Sequence, residues 1–579
     1  MSLVSKDDIV TATQLDKIGL KFTADLFMQA FGINKLNDLY DRLAGKRGLD
    51  FLDAAFADLQ VTFKTDADEL KKIPAQGPFI IVSNHPFGML DGMMLIRIIC
   101  EIRPDFKVMA NFLLQKIEPI AQYFIYVNPF ESDDTKGKNI SGIKAAMQHL
   151  ASGSPLGVFP AGEVSTFQSG FKKIKDKEWN SSIIKLIKKV GVPVVPVYFH
   201  GVNRLVFHLI GKIHPSLRTA SIPAELFRKR DGIIQVRIGA PITNDEQQHF
   251  TAEELGKYLR AMVYALGAPL SQRKSFQQRF QSLRRPKKII DEVAPAILDK
   301  EYNALGHRLL VGRNDYEVYF APASEIPGTL REIGRLREVT YRKVGEGTNQ
   351  SIDLDEFDDY YEHLFLRDKK NKKIVGAYRL GRGDKIFERF GKMGFYTSRF
   401  FRYEEAFLPY LKSTLELGRS FVVEEYQRKT FPLFLLWKGI EKFLSENRHY
   451  RYLLGPVSIS SSYSELTRSL IIQFIKRYYY DNELAGMAHA KNGYEVLQDD
   501  DFGILLEHFP VDMNELDKLI SEIEPSHFKV PILLKKYIKQ NASIIGFNID
   551  PKFNNALDGL MMLDLKNLPE NTAYQEIEF

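Results

Sequence analysis

From residue 76 onward the chain alternates short β-branched apolar runs with stretches of helical periodicity, and this restricts its fold more than any other feature. The first runs are PFIIVS (78–83), FKVMA (106–110), YFIYV (123–127), LGVFP (156–160), VPVVPVYF (192–199) and IIQVRIG (233–239). Helical patterns such as GMLDGMMLIRIICEI and NSSIIKLIKKV follow several of them. Alternation of this kind predicts an α/β sheet covered by helices. A second α/β region starts near 305. It has runs at 316–321, 360–368, 372–380, 418–426, 451–460 and 543–549, and helical patterns over 329–344 and 431–446. Residues 1–75 have apolar residues three and four apart with few breakers and read as helical. The expected organisation is a helical segment over 1–75, a domain over 76–270, a linker over 271–304 and a second domain over 305–579. The fold class is α/β, each domain a mixed sheet under helices.

Composition narrows the setting. A hydrophobic share of 44% in 579 residues suits globular domains and excludes disordered or fibrous chains. The single cysteine, Cys100, excludes a disulfide framework and a cysteine-rich zinc site. The first ten residues lack the apolar core of a signal peptide, and no run reaches the roughly 18 to 20 apolar residues of a membrane span. These features lead us to expect a cytoplasmic protein. The net charge of +6 is concentrated at 271–290, where Arg273, Lys274, Arg279, Arg284, Arg285, Lys287 and Lys288 stand without an acidic residue. Nucleic acid, an anionic membrane surface and a solvated linker would all suit such a stripe. Phe276, Phe280 and Leu283 interleave with the bases at helical spacing, which favours an amphipathic surface helix.

The segment IIVSNHPFGMLDGMMLI (80–96) carries the clearest chemistry. A buried strand ends at Ser83, Asn84 and His85 lie at its mouth, and Asp91 enters the first turn of the next helix. A carboxylate on one imidazole nitrogen leaves the other free as a base, so the pair can deprotonate a hydroxyl or amine for attack on an activated carbonyl. The plain alternative is a His–Pro turn with Asp91 as a helix-end carboxylate.

Asn84, His85 and Asp91, then FIYVN (124–128), FPAGEVS (159–165) and VPVVPV (192–197), resemble the four ordered blocks of the glycerolipid acyltransferases. The resemblance covers roughly 76–240 and implies His85 as general base, Asp91 as its orienting partner, and Asn84, Gly162 and Glu163 as substrate-binding residues. The departures are informative. Five residues separate His85 from Asp91 where the family has four, a difference that Gly88 can absorb through a glycine-only conformation. Ala161 replaces the usual glutamate, and Asn128 and Val164 replace the arginines that hold the acceptor's phosphate. An acceptor with a hydroxyl and no phosphate is expected. For an acceptor anionic in another way, Lys172, Lys173, Arg204 and Arg218 are candidates, while His200 and His214 read as structural.

The second half has no Ser–His–Asp order, metal-ligand cluster or phosphate loop. Its element order resembles the GNAT-type N-acyltransferases, which transfer acyl groups directly to amines. The segments IDLDEFDDYYEHLFLRD, IVGAYRL, LELGRSFV, LLWKGI and YLLGPVSIS are similar to the acyl-carrier-dependent members that make amino-acid lipids. The resemblance implies Glu416 as proton acceptor, with Arg379 and Arg419 holding carboxylate or carbonyl groups. The alternative is a strand-edge ion pair. After GRSFVVEEY, where coenzyme-A users have a glycine-rich turn, this chain has YQRKTFPLF, with Arg428 and no glycine. The implied donor is an acyl-carrier-protein thioester, with acyl-CoA possible and no tightly bound cofactor. Together the halves resemble the bifunctional synthases of ornithine-type lipids. That implies an amino acid and a lyso-aminolipid as substrates, acyl carrier protein as partner and peripheral attachment to the anionic inner face of the cytoplasmic membrane, with no nucleic acid. A lysophospholipid acyltransferase with an accessory GNAT-like domain and a non-catalytic membrane-binding protein are the other readings.

Overall fold

The computed structural model of the chain describes residues 3–5, 28–127, 136–167, 174–213, 218, 221–229, 232–271, 286–429, 431–497, 500–507, 512–525 and 528–569. They form two compact units. The first comprises Met1–Ser271, Asp499–Phe509 and Glu522–Ser526, and the second holds the remainder.

The first unit is built on β1 (Thr62–Lys64), β2 (Ile80–Ser83), β3 (Lys107–Asn111), β4 (Phe124–Val127), β5 (Leu156–Val158), β8 (Val194–Phe199) and β9 (Ile233–Ile238), with β6 (Thr166–Phe167) and β7 (Ile174–Lys175) as a separate small hairpin. The order across the sheet is β1-β9-β8-β2-β5-β3-β4. Every pairing is parallel except β8 with β9. All six expected runs are therefore strands. β1 is a correction, since it lies in the segment expected to be helical throughout. Val61, Thr62 and Phe63 favour extended backbone, and the strand pairs with β9 at the sheet margin. The helices Ile33–Arg42 and Gly48–Leu59 do form there, and Leu36, Leu39, Phe51, Leu52 and Leu59 enter the same core as Phe79, Ile81, Met94 and Ile99. Burying each such side chain stabilises the unit by roughly 1.5–3 kcal/mol, so this segment is integral to the fold. β2 lies centrally between two parallel neighbours, and its C-terminal end is where an open parallel sheet presents ligand-binding groups.

The second unit has one eight-stranded sheet, ordered β10-β11-β12-β13-β15-β16-β19-β18. Its strands are β10 (Leu309–Arg313), β11 (Tyr316–Pro322), β12 (Glu362–Asp368), β13 (Lys373–Arg382), β15 (Thr414–Val422), β16 (Tyr452–Ile459), β18 (Ser543–Asp550) and β19 (Ala556–Asp564). β14 (Phe401–Tyr403) and β17 (Ala488–Ala490) form a separate two-stranded ladder. β15 and β16 are the one parallel pair in the large sheet, and they pair over three residues only, Thr414–Glu416 with Tyr452–Leu454. Beyond that the strands fork. Near the apex a Cβ on Gly455 would stand 2.3 Å from the Leu417 carbonyl, so only glycine permits the approach.

The span expected for the second domain, 305–579, is interrupted by two segments that belong to the first unit. One of them contains the helix Asp500–Glu507, where Asp501 takes Lys175 at 2.5 Å and also pairs with Arg260. Of the basic stretch, Arg273, Lys274, Arg279, Arg284 and Arg285 lie outside the described residues, while Lys288 stands 3.6 Å from Asp291. No helix among the described residues is long and apolar enough to cross a membrane.

Candidate active sites

In the first unit the end of β2 turns sharply into the helix Met89–Cys100. The turn is made by Gly88 at φ +80°, a conformation that side chains rarely adopt, which is how the additional residue between His85 and Asp91 is accommodated. Asp91 Oδ2 accepts the Phe87 and Gly88 N–H groups at 2.8 and 2.9 Å and lies 3.0 Å from His85 Nδ1. Asp91 is fully buried, while the His85 side chain remains 18% exposed, so the ring has one nitrogen on a carboxylate and access to substrate. Burial raises the Asp91 pKa, opposed by His85 and the two backbone donors. The ring also lies against Phe159, with centroids 4.2 Å apart.

A second carboxylate, which the sequence reading missed, fixes the backbone. Asp176 Oδ1 accepts the His85 N–H at 3.2 Å and the Ser165 hydroxyl at 2.5 Å, and Ser165 N–H donates to the His85 carbonyl at 2.8 Å. Trp179 Nε1 donates to the other Asp176 oxygen at 3.3 Å. Asp176 is 91 residues from His85, and nothing in local spacing signals the contact.

The remaining candidates of this unit divide. Asn84 is buried, and its amide exchanges two hydrogen bonds with the Phe199 backbone, 2.9 and 2.8 Å, locking β2 to β8 instead of facing a ligand. Gly162 has φ +68° with open space above its Cα. Glu163 pairs with Arg218 and, at 2.5 Å, with Lys177. Arg204 donates its backbone N–H to Glu225 and keeps its guanidinium 3.6 Å from the same carboxylate. Val164, where the family arginine would stand, is buried beside Gly88. Asn128, Lys172, Lys173 and His214 lie outside the described residues.

In the second unit Arg379 on β13 and Arg419 on β15 meet across a register shift. Arg419 has φ +49°, an uncommon conformation for a side-chain-bearing residue. Both arginines contact Asp355, Arg379 at 2.5 Å and Arg419 at 3.3 Å. Arg419 Nη1 donates to the Tyr396 hydroxyl at 2.9 Å. Arg379 is fully buried over the Phe357, Tyr361 and Tyr396 rings, and its Nε and Nη2 have no hydrogen-bond partner among the described residues. Asp358 lies between Arg337 and Arg379; burial alone would raise its pKa, but the two guanidiniums outweigh it and hold the carboxylate below its ordinary range.

Glu416, expected to receive the amine proton, is enclosed by donors. It is 1% exposed and accepts the Tyr361 and Thr397 hydroxyls and the backbone N–H groups of Tyr396 and Thr397, so it clamps that segment. Burial raises the Glu416 pKa against these donors, and two carboxyls outside the sequence reading are raised as well. Asp558 on β19 is 4% exposed, opposite Ser458 of the fork, whose hydroxyl donates to it at 2.6 Å. Burial pushes its pKa to about 7, with Asp550 and Glu346 raising it further. Glu346 is likewise raised to about 7 by burial. A carboxyl poised near neutrality is matched to general-base work. Asp558 escaped notice because β19 itself was not expected. Arg428 is exposed just after the short helix Glu424–Gln427 that follows β15.

Comparison with known proteins agrees with this division. Residues 28–271 match an acyltransferase family, and residues 336–437 match the acetyltransferase (GNAT) domain. A glycine N(alpha)-acyltransferase of Bacteroides thetaiotaomicron is 32% identical over 206 residues, 34% of this chain and 61% of that protein. One from Phocaeicola vulgatus is 32% identical over the same length, 63% of that protein. A lyso-glycine lipid O-acyltransferase of Bacteroides thetaiotaomicron is 26% identical over 257 residues, 42% of this chain and 90% of that protein. The chain spans about three-fifths of the glycine N-acyltransferases it matches. It joins an N-terminal acyltransferase domain to a C-terminal GNAT domain.

Proposed function

We propose that this chain, an acyltransferase domain joined to a GNAT domain, makes amino-acid lipids in two consecutive acylations. The GNAT domain transfers a 3-hydroxyacyl group from a thioester to the α-amine of an amino acid. The amine nitrogen attacks the thioester carbonyl, the C–N bond forms as C–S breaks, and the amine proton passes to the Asp558 carboxylate and from there to the departing thiolate, which leaves as the thiol. The fork between β15 and β16 suits an extended thioester arm, because β15 loses its partner strand there. Arg419 and Asp355 border that strand and orient the amino acid. Arg428 and Lys429, exposed beyond the strand, suit the single phosphate of an acyl-carrier-protein arm and the acidic protein bearing it.

The first domain then acylates the new lipid's hydroxyl. His85 takes the hydroxyl proton as the oxygen attacks a second thioester, Asp91 orients and stabilises the imidazolium, and as the C–S bond breaks the imidazolium returns the proton to the departing thiolate. The observation that carries this reading is the surroundings of His85. A buried Val164 stands where a phosphate-binding cation would be needed, and Arg218 is drawn onto Glu163, which it shares with Lys177. A phosphate-free hydroxyl suits such a site. The relatives named for glycine lipids support an amino-acid head group, with glycine, ornithine and lysine as candidates. Competing lysophosphatidic acid against an N-(3-hydroxyacyl) amino acid for one acyl donor tests this: the hydroxyacyl amino acid should be the preferred acceptor. Preference for lysophosphatidic acid would make the chain a phospholipid acyltransferase instead.

A further inference from the structure

The helix Leu205–Ile213 in the first unit turns large apolar side chains outward as well as inward. Phe207 and His208 point into the fold, at 1% and 4% exposure. Outward lie Leu205, Val206 and Leu209, 50–62% exposed, joined by Val202 at 47% just before the helix. Large apolar side chains are individually common on surfaces, but four within eight residues are a concentration that water disfavours, with Leu205, Val206 and Leu209 at one-face helical spacing. The patch is tied to the catalytic turn. Gly201 lies against the Phe87 ring, where a Cβ would meet it at 2.6 Å. Lys229 sits 4.3 Å above the same ring and donates to the Val202 carbonyl at 2.7 Å. Phe87 is two residues from His85, and its N–H is held by Asp91. The surrounding charge is net positive. Arg204 and Arg228, about half exposed, share the single buried carboxylate of Glu225, and Lys229 adds a third cation.

We infer that the Leu205–Ile213 helix is a bilayer-insertion element, whose Leu205, Val206 and Leu209 enter an anionic lipid surface and bring the His85 turn to it. An apolar face flanked by basic residues is what an interfacial helix presents to acyl chains below anionic head groups. The inference takes from the proposed function only that the acceptor is a lipid. Partition is measured without turnover, so either can fail alone.

The test uses the full chain and vesicles of phosphatidylglycerol mixed with phosphatidylcholine. Replacing Leu205, Val206 and Leu209 together by Gln should weaken co-sedimentation about tenfold or more while leaving thermal stability unchanged, since all three side chains are outside the core. In a second variant, Leu209→Trp, emission should shift to the blue and be quenched by lipids brominated in the acyl chain. Unchanged sedimentation of the triple variant, or no quenching of the introduced tryptophan, would overturn the inference. So would a wild-type dimer that the triple variant cannot form while vesicle binding persists, because the patch would then join two copies of the chain.

Discussion

His85 is held at two points, and they do different things. Asp91 reaches the ring, whereas Asp176 grips the backbone N–H and thereby fixes where the ring starts from. In the second unit the proposed acceptor of the amine proton is Asp558. Its pKa near 7 is raised from the ordinary 3.8, so the sign of two pH effects follows. The N-acylation rate should rise with pH through about 7, because the ionised form is the base. Stability moves the other way. The neutral buried carboxyl is fully accommodated below pH about 4, and a few kcal/mol is lost as pH rises through the folded-state value. The limb is shared with Glu346, which burial also raises to about 7 and whose charge acts on Asp558. Asp558→Asn should cut N-acylation about 10²-fold or more and make both profiles shallower, the remainder being that of Glu346, read by rates and melting temperatures from pH 5 to 8. A variant that keeps the wild-type rate limb would remove Asp558 from the proton path.

At the scale of elements, the fork of β15 and β16 should be sensitive to a single methyl group. Gly455→Ala would push against the Leu417 carbonyl and destabilise the second unit by roughly 1–3 kcal/mol. N-acylation should fall while O-acylation, measured with a supplied hydroxyacyl amino acid, is retained; equal loss of both would show that the fork is not specific to the amine chemistry. The fork was invisible in the sequence, because strand partners separated by a whole helix leave no local pattern. The strands themselves were legible: all six runs of the first sheet are there, as buried apolar segments between helices must be. β1 was hidden by its three-residue length, and β10 and β19 by lying outside the runs with clear punctuation. Among site residues, His85 and Asp91 could be read because they are close in sequence and their chemistry is local. Asp176 and Asp558 could not, because each acquires its role by long-range contact. Glu416 was singled out by its motif, but whether a carboxylate is enclosed by four donors is settled only by packing.

For the whole molecule, the proposed product of one domain is the acceptor of the other: an amide bearing a free hydroxyl is made in the GNAT half and acylated in the half that holds His85. Two acylations on one chain need no second enzyme, and losing one should strand the intermediate in a defined way. The most direct measurement is mass spectrometry of lipids extracted from a host without amino-acid lipids that expresses this chain or its His85→Ala variant. The wild type should yield a diacylated amino-acid lipid, and His85→Ala should accumulate the mono-acylated hydroxyamide with no diacylated product. Unchanged diacylated lipid in the variant, or no amino-acid lipid from the wild type, would contradict the account.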